Sequence, residues 1–134
     1  MSTALEIARA ALAHADGDAE ALVHMETSGL ARFAESEVDQ PTLIADAIVR
    51  MRYVRDGKLG VATTNRIDED GLAELARRAS EAAASAPSDP EFPGLAPKAE
   101  PPQIEGYDEA TAALGAEGQA RLAAEAIGAS ELPV

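Results

Sequence analysis

The sequence contains no cysteine and no tryptophan, and its 24 acidic residues outnumber 11 basic ones. Without cysteine, disulfides, thiolate metal sites and a cysteine nucleophile are all excluded. The net charge of -13 leaves no basic stripe that could follow a phosphate backbone. We therefore expect neither nucleic acid nor an anionic membrane as a direct partner. We interpret the acidity as a source of solubility.

Aromatic residues and long apolar runs are also scarce. Aromatics make up 3% of the chain, and no apolar run approaches the length of a membrane span. The N-terminus lacks the basic-then-apolar pattern of a secretion signal, so we expect a cytoplasmic protein. A chain of 134 residues suffices for one domain with one core. Because alanine is abundant, that core should be thin and aliphatic, and either modestly stable or completed by a partner.

The stretch from Leu43 to Thr64 predicts a long β-hairpin. Asp56-Gly57 at its centre supplies the positive φ angles of a type I′ turn. If this turn sets the register, large residues of the first strand lie opposite small residues of the second. The predicted pairs are Tyr53 with Gly60, Met51 with Ala62, and Val49 with Thr64.

The opposite face of the hairpin mixes apolar and basic side chains, whereas a solvated face is usually more polar. One explanation is that arginine stems cover the apolar groups. The other is that another domain or subunit covers them, and the residues leave both explanations open. The possible interface consists of Arg50, Arg52, Val54, Leu59 and Val61.

The segments before the hairpin predict a helix and two short strands. Thr3 and Glu6 fit a capping box at the start of the helix. The strands cover Glu20 to Thr27 and Leu30 to Ala34, separated by a Ser-Gly turn signal. Glu35 to Pro41 is predicted as a polar loop, since proline belongs outside a central strand.

The segments after the hairpin predict helices joined by an extended linker. Asp68 suits an N-cap, and Pro87 ends the helix that follows. Asp108 caps a last helical region that is broken at Gly115. The buried stripe of the first of these helices should comprise Leu72, Leu75, Ala76, Ala79, Ala82 and Ala83.

Together these elements predict an α+β fold, with a four-stranded antiparallel sheet built on the long hairpin and helices on one face. We expect an α+β domain over residues 1–86 and a Pro-rich linker over residues 87–107. Residues 108–134 should form a C-terminal helical segment that leads to a C-terminal domain absent from this sequence.

No catalytic constellation is recognisable. A zinc hydrolase needs ligands on one face plus a general base, and this chain has only His14 and His24. The acidic run at Asp68 fails as a calcium loop because Arg66 and Arg77 occupy the first and last ligand positions. Neither a phosphate loop nor a nucleophile elbow is present. The sequence therefore predicts no catalytic, cofactor-binding or metal-binding residue.

Three stretches, in order, resemble the N-terminal domain of the TldD/PmbA (TldD/TldE) family of bacterial and archaeal metallopeptidases. LARFAESEVDQ, residues 30–40, resembles the family's RFANNEIHQ segment, with Asp39 where the family has histidine. VRDGKLGVATTNRID, residues 54–68, resembles its DGRxGxASTNDLD hairpin. PSDPEFPGL and YDEATAAL, at residues 87–95 and 107–114, resemble its linker and following helix.

The resemblance implies a non-catalytic domain of a larger protein. Family members are much longer and, where catalytic, resemble zinc peptidases with an HExxxH motif in a later region that has no counterpart here. The implied partners are a C-terminal domain of the same protein, a TldD-type or TldE-type subunit, and unfolded peptide substrates. Zinc is expected in the catalytic subunit, and this chain looks closer to the PmbA/TldE side.

Two other functions stay open from the sequence. One is a free-standing peptide- or protein-binding module in which an exposed sheet edge adds a strand by main-chain hydrogen bonds. The other is a self-contained enzyme, which the missing ligands argue against.

Overall fold

The computed structural model describes residues 2–35 and 37–130, apart from the side chains of residues 39–41. Three strands form one sheet in the order β1-β2-β3. The predicted α+β class, with an antiparallel sheet built on a long hairpin, is confirmed. The elements are α1 (Ala4–Ala13), β1 (Asp18–Ala34), β2 (Glu37–Arg55), β3 (Lys58–Thr64), α2 (Glu69–Ser85), α3 (Glu109–Ala112) and α4 (Ala116–Gly128).

The predicted register of the hairpin is confirmed. Asp56 and Gly57 take φ angles of 52° and 69°, which is the left-handed geometry that the turn requires. Because the turn fixes the register, strands β2 and β3 pair residue by residue as predicted. The pairs include Val49 with Thr64, Met51 with Ala62, and Tyr53 with Gly60.

The two short strands predicted before the hairpin run together as β1. The predicted turn at Ser28-Gly29 lies inside this strand, so the described sheet has three strands. A Cβ atom at Gly29 would meet the side-chain amide of Gln119 on α4, whose flexible end can move aside. The glycine therefore marks a close approach of α4 to β1 and not a chain reversal.

The predicted polar loop from Glu35 to Pro41 is largely strand as well, since β2 begins at Glu37. Strand β3 pairs with β2 only from Val49 to Arg55. The backbone at Pro41 therefore lies beyond the stretch of β2 that β3 covers. Proline lacks an N–H donor, and a position with one neighbouring strand can accommodate it.

The predicted helix starts are confirmed. Thr3 and Glu6 form the capping box of α1. The Asp68 side chain accepts a hydrogen bond from the Gly71 N–H at the start of α2, and Asp108 accepts one from the Thr111 N–H before α3. The last helical region is broken near Gly115, as predicted, and resumes as α4.

The core lies on the side of the hairpin that carries Val49, Met51 and Tyr53. Helix α2 packs there with its predicted stripe, in which only Ala82 is half-buried instead of buried. Strand β3 approaches α2 so closely that a Cβ atom at Gly60 would lie 2.1 Å from the Ala79 carbonyl oxygen. The remaining buried apolar residues among those described are Ile7, Ala11, Ala62, Leu72, Leu75, Ala76, Ala79 and Ala83.

The chain divides into two compact units. The first unit comprises Met1–Met25 and Asp46–Ala99, and the second comprises Glu26–Ala45 and Glu100–Val134. The predicted boundaries at residues 86 and 107 stay predictions, and residues 131–134 of the predicted C-terminal segment lie outside the described residues. Within the described ranges, no helix has the length and apolar character needed to cross a membrane.

Candidate interface on the outer face of the sheet

The alternation of side chains along β2 and β3 brings the five predicted interface residues to one face. Arg50, Arg52 and Val54 alternate with the core residues of β2 and so point away from the core. Val61 is the cross-strand partner of Arg52, and Leu59 is the partner of Val54. We call this surface of the first unit the outer face.

Four of these residues line a shallow groove of about 360 Å³ on the outer face. Strand β1 supplies the rest of its lining. The apolar side chains of the groove remain open to solvent, with Leu22 65% and Val61 40% exposed. The lining residues are Glu20, Leu22, Arg50, Arg52, Leu59 and Val61.

Three further residues of the outer face are not among the five predicted for the interface. The alternation along β2 places Ile48 on the same face as Arg50, and Ile48 is 41% exposed. Glu20 and Leu22 line the groove from β1. The same alternation along β1 is the signal for these two, but nothing local to β1 fixes how this strand pairs with β2.

The two arginines of the groove differ in their partners. Arg52 Nη1 lies 2.8 Å from Glu20 Oε1, and both side chains are partly shielded from solvent. Arg50 is exposed, and its side chain makes no hydrogen bond or ion pair with the described side chains and backbone of residues 2–35 and 37–130. Arginine stems therefore cover the outer face only in part, since Leu22, Ile48 and Val61 stay exposed beside them.

A polar cluster anchors the end of the hairpin beside this face. The Tyr53 hydroxyl donates to Asp16 Oδ1 at 2.5 Å, and Arg55 Nη2 donates to the Tyr53 oxygen at 2.8 Å. Arg55 also pairs with Asp16 at 3.2 Å. The hydrogen bond from Tyr53, assisted by the charge of Arg55, holds the pKa of Asp16 below its ordinary value. The cluster ties the segment after α1 to β2.

The described residues do not fit a zinc site. His14 caps the end of α1, and its Nε2 lies 3.2 Å from a Glu69 carboxylate oxygen on α2. His24 lies on β1, apart from that pair in the chain. In the described ranges, no three histidine, aspartate or glutamate side chains come together as a metal-binding group.

Strands β1 to β3, which carry the outer face, and most of α2, which packs on the opposite face, coincide with a recognised family region. Residues 19–83 match the family model described as PmbA/TldA metallopeptidase domain 1. This region, residues 19–83, is similar to the first domain of the TldD/PmbA family. The whole groove of the outer face lies within this TldD/PmbA-like region, because its lining runs from Glu20 to Val61.

A solved structure with the same fold is that of TldE from Thermococcus kodakarensis. The match has a TM-score of 0.65 and covers 81% of this chain and 24% of that chain, at 18% sequence identity. The likeness shows the fold of the TldD/PmbA-like region, and the chain spans about a quarter of the length of that TldE. No curated protein matches the sequence.

Proposed function

We propose that this chain is the non-catalytic N-terminal domain of a TldD/PmbA-like zinc metallopeptidase subunit. Its role is assembly with the C-terminal domain of the same protein and with a TldD-type or TldE-type subunit. In the assembly it helps to shape a chamber for unfolded peptide substrates, and so serves proteolysis or peptide maturation. The observation that carries this proposal is the open apolar groove on the outer face of a TldD/PmbA-like region.

Covering the exposed apolar side chains of the outer face would stabilise an assembly. Leu22, Ile48 and Val61 each leave at least 40% of their surface in water. Full burial of one such side chain contributes roughly 1.5–3 kcal/mol, so covering these partly exposed groups contributes a sizeable share of that for each. Contiguous apolar patches of this kind are typical of surfaces that contact another protein.

The proposal places zinc in another part of the assembly. The described residues hold no set of side chains suited to the metal, and the family region they match is a first domain. When the subunits of the assembled complex are separated and the metal content of each is measured, we expect zinc in the catalytic subunit.

The test is to co-express this chain with the TldD-type and TldE-type subunits of its own source and to measure association by analytical ultracentrifugation. We expect a complex, and we expect Leu22→Glu to weaken it by at least about tenfold, because the variant replaces apolar contact surface with a charged group that loses its hydration in the interface. Leu22 is 65% exposed, so the folded chain should tolerate the change.

The matched control is Leu5→Glu, which makes the same change at a residue of α1 that is 59% exposed. It should leave the complex intact. A monodisperse monomer that associates with neither subunit would contradict the proposed function. Equal weakening by both variants would show that the outer face is not the interface.

One observation favours a second candidate function, a free-standing peptide-binding module. Strand β3 is a seven-residue edge strand with β2 as its neighbour in the described sheet. An edge of this kind can accept an extended peptide as an additional strand. Binding of extended peptides to the backbone of β3, in the chain alone, would support this candidate over assembly.

A further inference from the structure

The outer face carries a basic group that no described side chain neutralises. Arg50 makes no ion pair within the described ranges, although acidic residues outnumber basic ones by 24 to 11. Four other arginines of the first unit are paired with carboxylates. They are Arg52, Arg55, Arg66 and Arg77.

The surroundings of Arg50 combine this positive charge with apolar surface. Leu22, Leu59 and Val61 line the same groove, and Glu20, the acidic residue of the lining, is already engaged by Arg52. A groove of about 360 Å³ is at the small end of binding pockets, and it is open to solvent through Leu22 and Val61. It therefore suits one or two side chains of a polypeptide better than an enclosed small molecule.

From this combination we infer that the outer face docks an apolar segment of another polypeptide chain that carries a carboxylate, which pairs with Arg50. The inference rests on the proposed function in that it specifies the chemistry of the segment covering this face. A carboxylate satisfies Arg50 through charge-assisted hydrogen bonds, while apolar neighbours cover Leu22 and Val61. The acidic surface outside the groove repels a carboxylate. A segment that carries one is therefore favoured at the groove over other places on this chain.

The probes are three capped peptides, acetyl-Val-Leu-Xaa-Leu-Val-amide, with glutamate, glutamine or lysine at the central position. Each is titrated into the isotope-labelled chain, and amide shifts are followed by NMR. We expect the glutamate peptide to shift the amides around Leu22, Arg50 and Val61. It should bind about three- to fivefold more tightly than the glutamine peptide, and the lysine peptide should bind most weakly. The preference should decline at high salt because the pair is exposed.

Arg50→Gln should abolish the preference for glutamate over glutamine while apolar binding at the groove persists. Arg9→Gln removes the same charge from an exposed position on α1 and should leave the preference unchanged. Equal binding of all three peptides, shifts confined to other surfaces, or a preference that survives in Arg50→Gln would each overturn the inference. So would the absence of any shift at millimolar peptide.

These outcomes are distinguishable from those that test the proposed function. If the subunits assemble with this chain and Arg50→Gln assembles equally well, the assembly role stands and the role of Arg50 falls. If no subunit assembles but the glutamate peptide binds at the groove in an Arg50-dependent manner, the inference stands and the assembly role falls.

Discussion

At the scale of single residues, Tyr53 connects the core to a charged cluster at the surface. Its side chain is 1% exposed, and it is the largest fully buried side chain among the described residues. The hydroxyl nevertheless reaches Asp16, an exposed residue in the segment after α1. A buried tyrosine ring contributes apolar contact while its hydroxyl needs a partner, and this position provides both.

We predict that Tyr53→Phe raises the pKa of Asp16 towards its ordinary value of 3.8, because the hydroxyl is the main cause of the lowered value. A depressed carboxyl pKa contributes stability above the unfolded pKa, and that contribution is lost as the pH falls through the folded pKa. The stability difference between wild type and Tyr53→Phe should therefore shrink below about pH 4. Carboxyl NMR titration measures the pKa directly.

The control for this prediction is Tyr107→Phe, which removes the hydroxyl of a tyrosine that is 80% exposed. It should leave the titration of Asp16 unchanged. An Asp16 pKa that stays low in Tyr53→Phe would show that Arg55, and not the tyrosine hydroxyl, holds the carboxyl in its charged form.

At the scale of elements, the contact between β3 and α2 depends on small residues on both sides. Ala79 and Ala83 of the helix are fully buried, and backbone atoms of both lie within 3 Å of the position that a Cβ at Gly60 would occupy. Tyr53 on β2 lies opposite Gly60. The absent side chain lets the helix approach the strand, and the neighbouring tyrosine fills the adjacent space.

We predict that Gly60→Ala destabilises the chain by about 1–3 kcal/mol, because the added methyl group overfills this contact and forces the helix and strand apart. Urea unfolding followed by circular dichroism measures the loss. Gly128→Ala is the matched control, since no atom lies within 4 Å of a Cβ at that position, and its stability should be unchanged or slightly raised. Equal stability of Gly60→Ala and wild type would show that the contact is looser than the geometry indicates.

The elements that the sequence predicted correctly depend on local chemistry. The Asp56-Gly57 turn sets the hairpin register, and Thr3, Asp68 and Asp108 cap helices within a few residues of themselves. The continuity of β1 across Gly29 was not predictable, because it depends on pairing with β2, which no residue near Gly29 fixes. For the same reason, only part of the candidate interface was predictable. The positions of its β2 and β3 residues follow from the turn, whereas those of its β1 residues follow from the pairing of β1 with β2.

At the scale of the whole molecule, the buried core belongs to one unit. Among the described residues, all 11 buried apolar ones lie in the first unit, and five of them are alanine. The described residues of the second unit include no fully buried side chain, and α4 has none. This agrees with the expectation of a thin aliphatic core, and it predicts unequal local stability along the chain, since few buried contacts mean a low free energy of opening.

Native-state hydrogen exchange tests this prediction. We expect the slowest amides in β2 from Val49 to Val54, in β3 and in α2, and markedly faster exchange in α4. Leu75 is fully buried, and Leu75→Ala should lower protection throughout the first unit by about 2–5 kcal/mol, because these elements share one core. Leu122→Ala in α4, where the leucine is 49% exposed, is the matched control and should leave that protection unchanged. Amides of α4 that exchange as slowly as those of α2 would contradict the prediction, since such protection requires a core that the described residues of the second unit do not contain.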